Sequence, residues 1–370
     1  MLSIVCGGWV STHPEITKGL TMNMPSRITA GVDTHLDTHV AAALDERGSL
    51  LGVESFDTTP AGYRRLLRWL QGFGEIERVG IEGTGSYGAG LTPFLHRHDI
   101  IVIEVDRPNR QRRRRRGKSD PQDAITAARA TQSGDSDGLA KTRDGNVEAM
   151  RVLRVARFSA RKARTQALNQ MRSLISTAPD EIRAELRSLN VYRLLERASS
   201  YRPGDRDDIH AITKFTLRTL ARRAIALDDE IKAIDKKLKT LVDDTAPDLV
   251  AVHGVGTDSA SALLVAAGDN PERLRTEATF AHLCGVAPID ASSGRQERHR
   301  LNRGGDRQAN SALWHIMLTR MVSDERTKTY IARRIEDGLT KQEAMRCVKR
   351  YIAREIYQHL PRQQLALDTP

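Results

Sequence analysis

The chain has 370 residues, enough for two or three domains, and its 58 Lys and Arg outweigh 47 Asp and Glu to give a formal net charge of +11. This balance favours nucleic acid as a partner over an anionic membrane surface, because clustered cations gain affinity by releasing condensed counterions. The three cysteines, Cys6, Cys284 and Cys347, have no metal-ligand spacing, and no apolar run approaches the roughly 18 residues of a membrane span. These features argue against a disulfide-rich secreted domain and a membrane protein, and we expect a soluble cytoplasmic one.

The residue pattern of the first 134 positions predicts a leader followed by an α/β domain. Residues 1–26 show no periodicity and are expected to be a disordered leader. Over 27–134 the apolar patterns predict strands at 28–33, 39–45, 50–56, 78–83 and 100–105, and helices at 60–71, 88–97 and 120–133. Thr59 and Pro60 form a start signal for the first helix. The order β-β-β-α-β-α-β-α describes a mixed sheet flanked by helices.

The next part predicts long helices. Residues 134–146 read as a linker, and two long helices are expected over 147–177 and 208–243, within a coiled-coil region over 147–245. The second helix carries a seam of apolar residues spaced alternately by four and three: Leu220, Ala224, Leu227, Ile231, Ile234, Leu238 and Leu241. This seam fits either a coiled coil between chains or a helical hairpin within one chain.

Residues 247–350 predict a helical C-terminal domain, followed by a tail over 351–370. The turn Gly254-Val255-Gly256 between two apolar helical runs is similar to a helix-hairpin-helix element, whose backbone amides hold a DNA phosphate. An ordinary helix–helix turn has the same pattern. A polar, basic loop is predicted over 283–313, and amphipathic helices follow it.

Four acids of the α/β domain stand where ligands usually bind. Asp33 ends the first strand, Glu82 ends a later one, and Asp120 and Asp123 open a helix, so all four can meet at one edge of the sheet. Carboxylates packed together repel one another, and divalent Mg²⁺ or Mn²⁺ would relieve that repulsion and serve phosphodiester chemistry. Ordinary roles are also open: turn acids for the first two, an N-cap for Asp120 before Pro121, and a first-turn acid for Asp123.

A dense cationic run precedes the last two acids. Residues 107–118 hold seven arginines and one lysine with no acid. We expect these side chains to contact phosphates rather than bases; the central ones are Arg112, Arg113, Arg114, Arg115, Arg116 and Lys118. A solvated basic loop before a capped helix is the plainer interpretation.

Four segments together resemble a known family. "GVDTHLDTHVAAALDERG", "IEGTGSYG", "GKSDPQDA" and the later "GVAP", "SSG" and "RGGDRQANSAL" are similar, in this order, to the Asp-Glu-Asp-Asp (DEDD) transposases of bacterial insertion sequences, which are described as bridge-RNA-guided recombinases. The likeness spans about residues 27–350. The chain departs from the usual pattern at Ser119, where threonine is common, and at Ile289 and Asp290 after the Ala-Pro pair.

The resemblance implies a fold, a nucleophile and partners. It implies an RNase H-like domain of the RuvC type carrying the acids Asp33, Glu82, Asp120 and Asp123 as metal ligands, then a coiled coil, then a domain that supplies a serine. That serine is Ser293 in "SSG", with Ser292 as the competing assignment. Arginines near it could stabilise the charge of the transition state: Arg295, Arg298, Arg300, Arg303 and Arg307.

The sequence therefore predicts an insertion-sequence transposase or recombinase that cuts and rejoins DNA. Expected partners are the element ends and target DNA, a structured guide RNA, and further copies of the chain in a dimer or tetramer, at the bacterial nucleoid when acting. Two other hypotheses stay open: a Mg²⁺-dependent junction nuclease that uses the acids without the serine, and a nucleic-acid-binding protein without catalysis.

Overall fold

A computed structural model describes residues 26–105, 119–204, 207–291 and 299–361. Residues 1–25 of the expected leader and residues 362–370 of the expected tail lie outside this part. The internal contacts of the chain separate two compact units with a boundary between Asp137 and Gly138. The finer three-part division predicted from the sequence stays a prediction.

The N-terminal unit is a five-stranded mixed sheet with helices. The elements in chain order are β1 Arg27–Thr34, β2 Thr38–Leu44, β3 Leu50–Asp57, α1 Pro60–Gln71, β4 Glu75–Glu82, a short 3-10 turn at Tyr87–Ala89, α2 Leu91–His96, β5 Val102–Val105 and α3 Asp120–Ser133. The strand order is β3-β2-β1-β4-β5, with β1, β2 and β3 antiparallel and β4 and β5 parallel to β1. The predicted order of elements and the mixed sheet are confirmed.

The first helix begins where its start signal predicted. The Thr59 hydroxyl accepts a hydrogen bond from the Gly62 backbone N–H at 3.1 Å, and Pro60 is the first helical residue. Leu66, Leu67 and Leu70 of this helix are buried. Local capping and an apolar face thus act together to fix α1.

Helix α3 lies directly against the backbone of β1 and β4. Gly31 pairs with Gly80 across these strands. A Cβ on Gly31 would stand 2.1 Å from the Ala128 nitrogen, and one on Gly80 would stand 1.9 Å from the Thr131 hydroxyl. Real Cβ atoms do not approach so closely, so only glycine at both strand positions lets the helix sit at this distance.

The C-terminal unit is helical. Its elements are α4 Asn146–Thr177, α5 Asp180–Leu186, α6 Val191–Ser199, α7 Ile209–Thr245, α8 Pro247–Ala251, α9 Thr257–Ala267, a 3-10 turn at Pro271–Arg273, α10 Glu277–Leu283, β6 Ile289–Asp290, β7 His299–Arg300, α11 Arg307–Ser323, α12 Glu325–Glu336 and α13 Lys341–Gln358. No helix in the described ranges is long and apolar enough to cross a bilayer.

The two long helices form an antiparallel pair within one chain. The start of α4 (Val147, Met150) shares a core with the end of α7 (Leu238, Val242), and the second half of α4 shares another with the first half of α7. Every residue of the predicted seam is buried or half-buried here. Ion pairs such as Arg164 with Asp228 join the pair. The hairpin alternative therefore accounts for the seam, and self-association stays a prediction.

The predicted loop over 283–313 is shorter than expected. Ile289 and Asp290 pair with Arg300 and His299 in a two-stranded ribbon. Helix α11 already begins at Arg307, because the Asp306 carboxylate accepts hydrogen bonds from the backbone N–H groups of Gln308 and Ala309, both at 2.8 Å. The loop prediction was wrong from Arg307 onward because this cap was overlooked.

The contact beneath α3 makes a stability prediction. Gly31→Ala should lower the free energy of unfolding by about 1–3 kcal/mol or more, because the new methyl group meets helix backbone that cannot turn aside. Urea unfolding of the full chain measures the change.

The matched control is Gly138→Ala, where a new Cβ has no heavy atom within 4 Å. It should change the free energy of unfolding by less than about 0.5 kcal/mol. Equal effects of the two substitutions would contradict a tight contact between α3 and the sheet.

Candidate metal centre

Two of the predicted acids lie at the ends of neighbouring parallel strands. Asp33 is two residues beyond Gly31 on β1, and Glu82 is two residues beyond Gly80 on β4. Side chains two positions apart in a strand share a face, so both acids lie on the face that α3 covers. Asp33 and Glu82 are 6% and 8% exposed, which is unusual for carboxylates.

The other two acids lie in the first turn of α3. The structure corrects the predicted cap: the N-cap residue is Ser119, in an extended conformation, and its carbonyl accepts from the Asp123 N–H at 3.1 Å. Asp120 is the first helical residue rather than the cap. The prediction placed Pro121 at the first helical position, but the helix begins one residue earlier, so Pro121 is the second helical residue. Both aspartates benefit from the positive end of the helix dipole.

The four acids share one electrostatic environment. Burial is the largest cause that raises the pKa of Asp33, from 3.8 to about 6. The nearby charges of Glu82, Asp123 and Asp120 raise this pKa further, while His35 opposes the rise. Residues from β1, β4 and α3 thus act on a single carboxyl group, as the sequence prediction of one sheet edge requires.

His35 joins two of these elements and was missed in the sequence. Its Nδ1 lies 3.7 Å from Asp33 Oδ2 and its Nε2 lies 3.6 Å from Asp120 Oδ1. One ligand atom from each of the three residues lies within 4.8 Å of the others. The signal that could have revealed it is the spacing Asp-x-His directly at the end of a strand.

These residues fit a divalent cation. Asp33 Oδ2 and His35 Nδ1 are both buried and have no hydrogen-bond partner among the residues the structure describes. Buried polar atoms normally have such partners, so these two atoms are suited to a ligand. A set rich in carboxylate oxygens suits Mg²⁺ or Mn²⁺, and an added imidazole is tolerated better by Mn²⁺.

The predicted glycine turn lies in the C-terminal unit. Gly254 has φ 84° in the turn between α8 and α9, and Gly256 is the N-cap residue of α9. Asp258 in the first turn of α9 accepts hydrogen bonds from Arg154 and Arg157, both at 2.9 Å. Two helices are thus joined by this glycine turn; the helix-hairpin-helix assignment and phosphate binding there stay predictions.

The remaining predicted residues divide into two sets. Arg300 lies on β7, Arg303 follows it, and Arg307 opens α11, and all three are exposed. The others lie outside the described residues: Arg112, Arg113, Arg114, Arg115, Arg116, Lys118, Ser292, Ser293, Arg295 and Arg298.

The raised pKa of Asp33 makes a prediction about pH. The folded chain holds the proton of Asp33 more tightly than the unfolded chain does, so the free energy of unfolding falls as the pH rises from about 4 to about 6. Above pH 6 the free energy of unfolding stays lower by this amount. In EDTA, Asp33→Asn should therefore be more stable than the wild type above pH 6 by about 1–3 kcal/mol, at about 1.4 kcal/mol per pH unit. Urea unfolding across pH measures this.

Asp37→Asn is the matched control, because Asp37 is exposed in the turn after β1. It should leave the pH profile unchanged. The prediction fails if Asp33→Asn destabilises the chain at pH 8, or if its advantage does not shrink as the pH falls towards 4.

Comparisons with known proteins match both units. A family model described as a transposase, of the DEDD type of IS110, matches residues 30–180, and a second, described as the transposase IS116/IS110/IS902 family, matches residues 247–332. The insertion element IS110 uncharacterized 43.6 kDa protein of Streptomyces coelicolor is 30% identical over 130 residues. That alignment covers 34% of this chain and 32% of the relative, so the chain spans about a third of the relative's length.

The matched regions include all four acids in the first model and the β6–β7 ribbon in the second. The resemblance read from the sequence motifs is thereby confirmed. The chain belongs to the IS110/IS116/IS902 family of transposases.

Proposed function

We propose that the chain is an insertion-sequence transposase or recombinase that cuts and rejoins DNA. The observation that carries this proposal is that one ligand atom each of Asp33, His35 and Asp120 lies within 4.8 Å of the others, beside Glu82 and Asp123, whose charges raise the pKa of Asp33. A cluster of this kind is electrostatically unfavourable for the protein alone, so a bound cation accounts for it better than a structural role does. Membership of a transposase family supports the same reaction class.

The acids and His35 would together hold the metal. Asp33, Glu82, Asp120 and Asp123 would supply carboxylate oxygens, and His35 an imidazole nitrogen between β1 and α3. A divalent cation, Mg²⁺ or Mn²⁺, would lower the pKa of an attacking oxygen and neutralise charge on the leaving oxygen. The fold would keep the ligands in place, because an RNase H-like arrangement fixes β1, β4 and α3, which carry them, relative to one another.

Metal binding is tested without relying on catalysis. Mn²⁺ should raise the unfolding temperature of the wild type at pH 8, because an ion that binds only the folded state stabilises it. Asp33→Asn should lose most of this shift, and Asp37→Asn should keep it. An equal shift in all three proteins would rule out a site at Asp33.

The nucleophile would come from the C-terminal region. The Ser293 hydroxyl would lose its proton and its oxygen would bond to a DNA phosphorus, while the bond from phosphorus to a deoxyribose oxygen breaks and that oxygen takes up a proton. A hydroxyl from another strand would then attack the phosphoserine and release the serine. Nearby cations would stabilise the charged transition state: Arg295, Arg298, Arg300, Arg303 and Arg307.

The proposed nucleic-acid partners are argued from the basic residues of the chain and from the lack of a base-reading motif in its sequence. Arg112 to Arg116 and Lys118 would contact DNA phosphates, as would the Gly254–Gly256 turn, and none of these contacts reads bases. The sequence has no signature of the common base-reading motifs. We therefore assign target choice to pairing with a structured guide RNA, and assembly to a dimer or tetramer of the chain.

A junction nuclease is the second candidate. It is favoured by one observation: all four acids belong to the N-terminal unit. A nuclease of that kind needs the acids and water but not Ser293.

Substitution of the serine and of an acid separates these functions. In a strand-exchange assay with Mg²⁺, guide RNA and DNA carrying the element ends, Ser293→Ala and Asp33→Asn should each lower the rate by about 100-fold or more. The wild type should form a protein–DNA adduct that survives SDS, and mass spectrometry should place it on Ser293.

Ser292→Ala is the matched control and should keep both the adduct and the rate. An adduct on Ser292 would move the nucleophile by one residue. Loss of activity in Asp33→Asn alone would favour the junction nuclease, and DNA binding without cleavage by the wild type under any metal would leave only a binding protein.

A further inference from the structure

A basic cleft of the C-terminal unit combines Arg300 and Arg303, which were named from the sequence, with arginines of α12 and α13 that were not. This cleft of about 890 Å³ lies between the β6–β7 ribbon and helices α12 and α13. This volume is in the range of about 300–1,000 Å³ that small-molecule sites occupy. Among the described residues, its lining includes seven arginines and one lysine but a single acid, Glu343.

Several of these cations already have acidic partners. Arg350 donates to both oxygens of Glu277, at 2.6 and 2.9 Å, and this contact lowers the pKa of Glu277 to about 2. Arg354 reaches the same carboxylate at 3.4 Å, and Arg334 pairs with Asp337 at 3.0 Å. These three arginines stabilise the walls of the cleft.

Four other arginines of the cleft are not neutralised. Among the described residues, no acid forms a salt bridge with Arg300, Arg303, Arg333 or Arg346. The Glu343 carboxylate accepts hydrogen bonds from the backbone N–H and the hydroxyl of Thr340, at 2.9 and 2.7 Å, and these lower its pKa most. The charge of Arg346 lowers that pKa further, so this one carboxylate offsets part of the charge of Arg346. The cleft still presents a net positive charge, which suits a polyanion.

An exposed aromatic ring stands among these cations. Tyr351 on α13 is 54% exposed, and the guanidinium of Arg354 lies 5.9 Å from its ring centre. Tyr330 on α12 lies 5.5 Å away in an edge-on contact and carries Arg333 at 5.5 Å. Exposed aromatic rings beside arginines are the usual platform on which unpaired bases stack.

Packing between helices accounts for only one edge of Tyr351, where its ring meets Tyr330. Tyr330 is half-buried and fills the space between α12 and α13, whereas more than half of Tyr351 faces solvent. Phosphate contacts alone would explain the arginines but not the ring. A duplex hides the faces of its bases, so an exposed ring is useful only for nucleotides that are not paired.

We propose that this cleft binds single-stranded nucleic acid, with a base stacked on Tyr351 and its flanking phosphates held by Arg300, Arg303, Arg333 and Arg346. The inference rests on the proposed function, because it gives the strand that recombination leaves unpaired a place on the chain. Unpaired DNA and an unpaired stretch of RNA share this chemistry, and the experiment distinguishes them.

The test measures binding by the full chain in EDTA. Fluorescence anisotropy with single-stranded DNA, single-stranded RNA and duplex DNA of one sequence gives three affinities for each variant. Tyr351→Ala should weaken binding to the preferred single strand by about 5- to 150-fold, since stacking is worth about 1–3 kcal/mol per base. Duplex affinity should not change, and Tyr351→Trp should bind as the wild type does.

Tyr192→Ala is the matched control, because Tyr192 on α6 is 77% exposed and lies outside the cleft. It should leave all three affinities unchanged. Photocrosslinking of a strand carrying 5-iodouracil should place the adduct on Tyr351, and thermal unfolding of Tyr351→Ala should match the wild type.

The charge contribution has its own variant. Arg333→Ala with Arg346→Ala should weaken single-strand binding and flatten its salt dependence, since fewer counterions are released. The inference is overturned if Tyr351→Ala weakens duplex and single-strand binding equally, or weakens neither. Whichever single strand depends on Tyr351 more strongly identifies the occupant as DNA or RNA.

Failure of this inference is distinct from failure of the proposed function. If the wild type carries out strand exchange but its single-strand binding does not depend on Tyr351, only the proposed role of the cleft is ruled out. If binding in EDTA depends on Tyr351 but the wild type carries out no strand exchange, only the proposed reaction is ruled out.

Discussion

The N-terminal unit depends on the contact between helix α3 and the backbone of two strands. Gly31 and Gly80 leave no side chain between β1, β4 and the helix, and a methyl group at either position would overlap helix atoms. The buried face of α3 is made of small residues, among them Ala124, Ala127 and Ala128. This close approach brings the first turn of α3 to the end of β1, so that ligand atoms of Asp33, His35 and Asp120 lie within 4.8 Å of one another.

The resulting cluster works against the stability of the fold. A buried carboxyl group whose pKa is about 6 in the folded chain is less stable when ionised there than in the unfolded chain. The free energy that offsets this comes from the apolar core of the sheet, where Val32, Ile81 and Leu44 are fully buried. Strain of this kind is typical of functional sites, because a site made ready for a cation is unfavourable without one.

Charge in the C-terminal unit serves two different purposes. The arginines of α4 are largely structural: Arg154 and Arg157 bind Asp258, and Arg164 binds Asp228. Those of the cleft beside α12 and α13 are partly uncompensated and surround an exposed ring. The sequence shows both groups as the same kind of basic helix, and only the position of the acids distinguishes them.

The sequence by itself determined the order of the strands and helices of the first unit, the two long helices of the second, and the family, and it predicted that four acids share one site at the sheet edge. These follow from local patterns, because alternation, helical periodicity, capping residues and motif order all act over short stretches of chain. Only the tertiary structure decided that the α7 seam packs within one chain, that Ser119 rather than Asp120 caps α3, and that His35 lies between Asp33 and Asp120. The seam and the position of His35 depend on which distant residues meet, whereas the cap depends on the backbone conformation of Ser119. The cleft at Tyr351 also depends on distant residues, since its arginines come from segments up to about fifty residues apart that only the folded chain brings together.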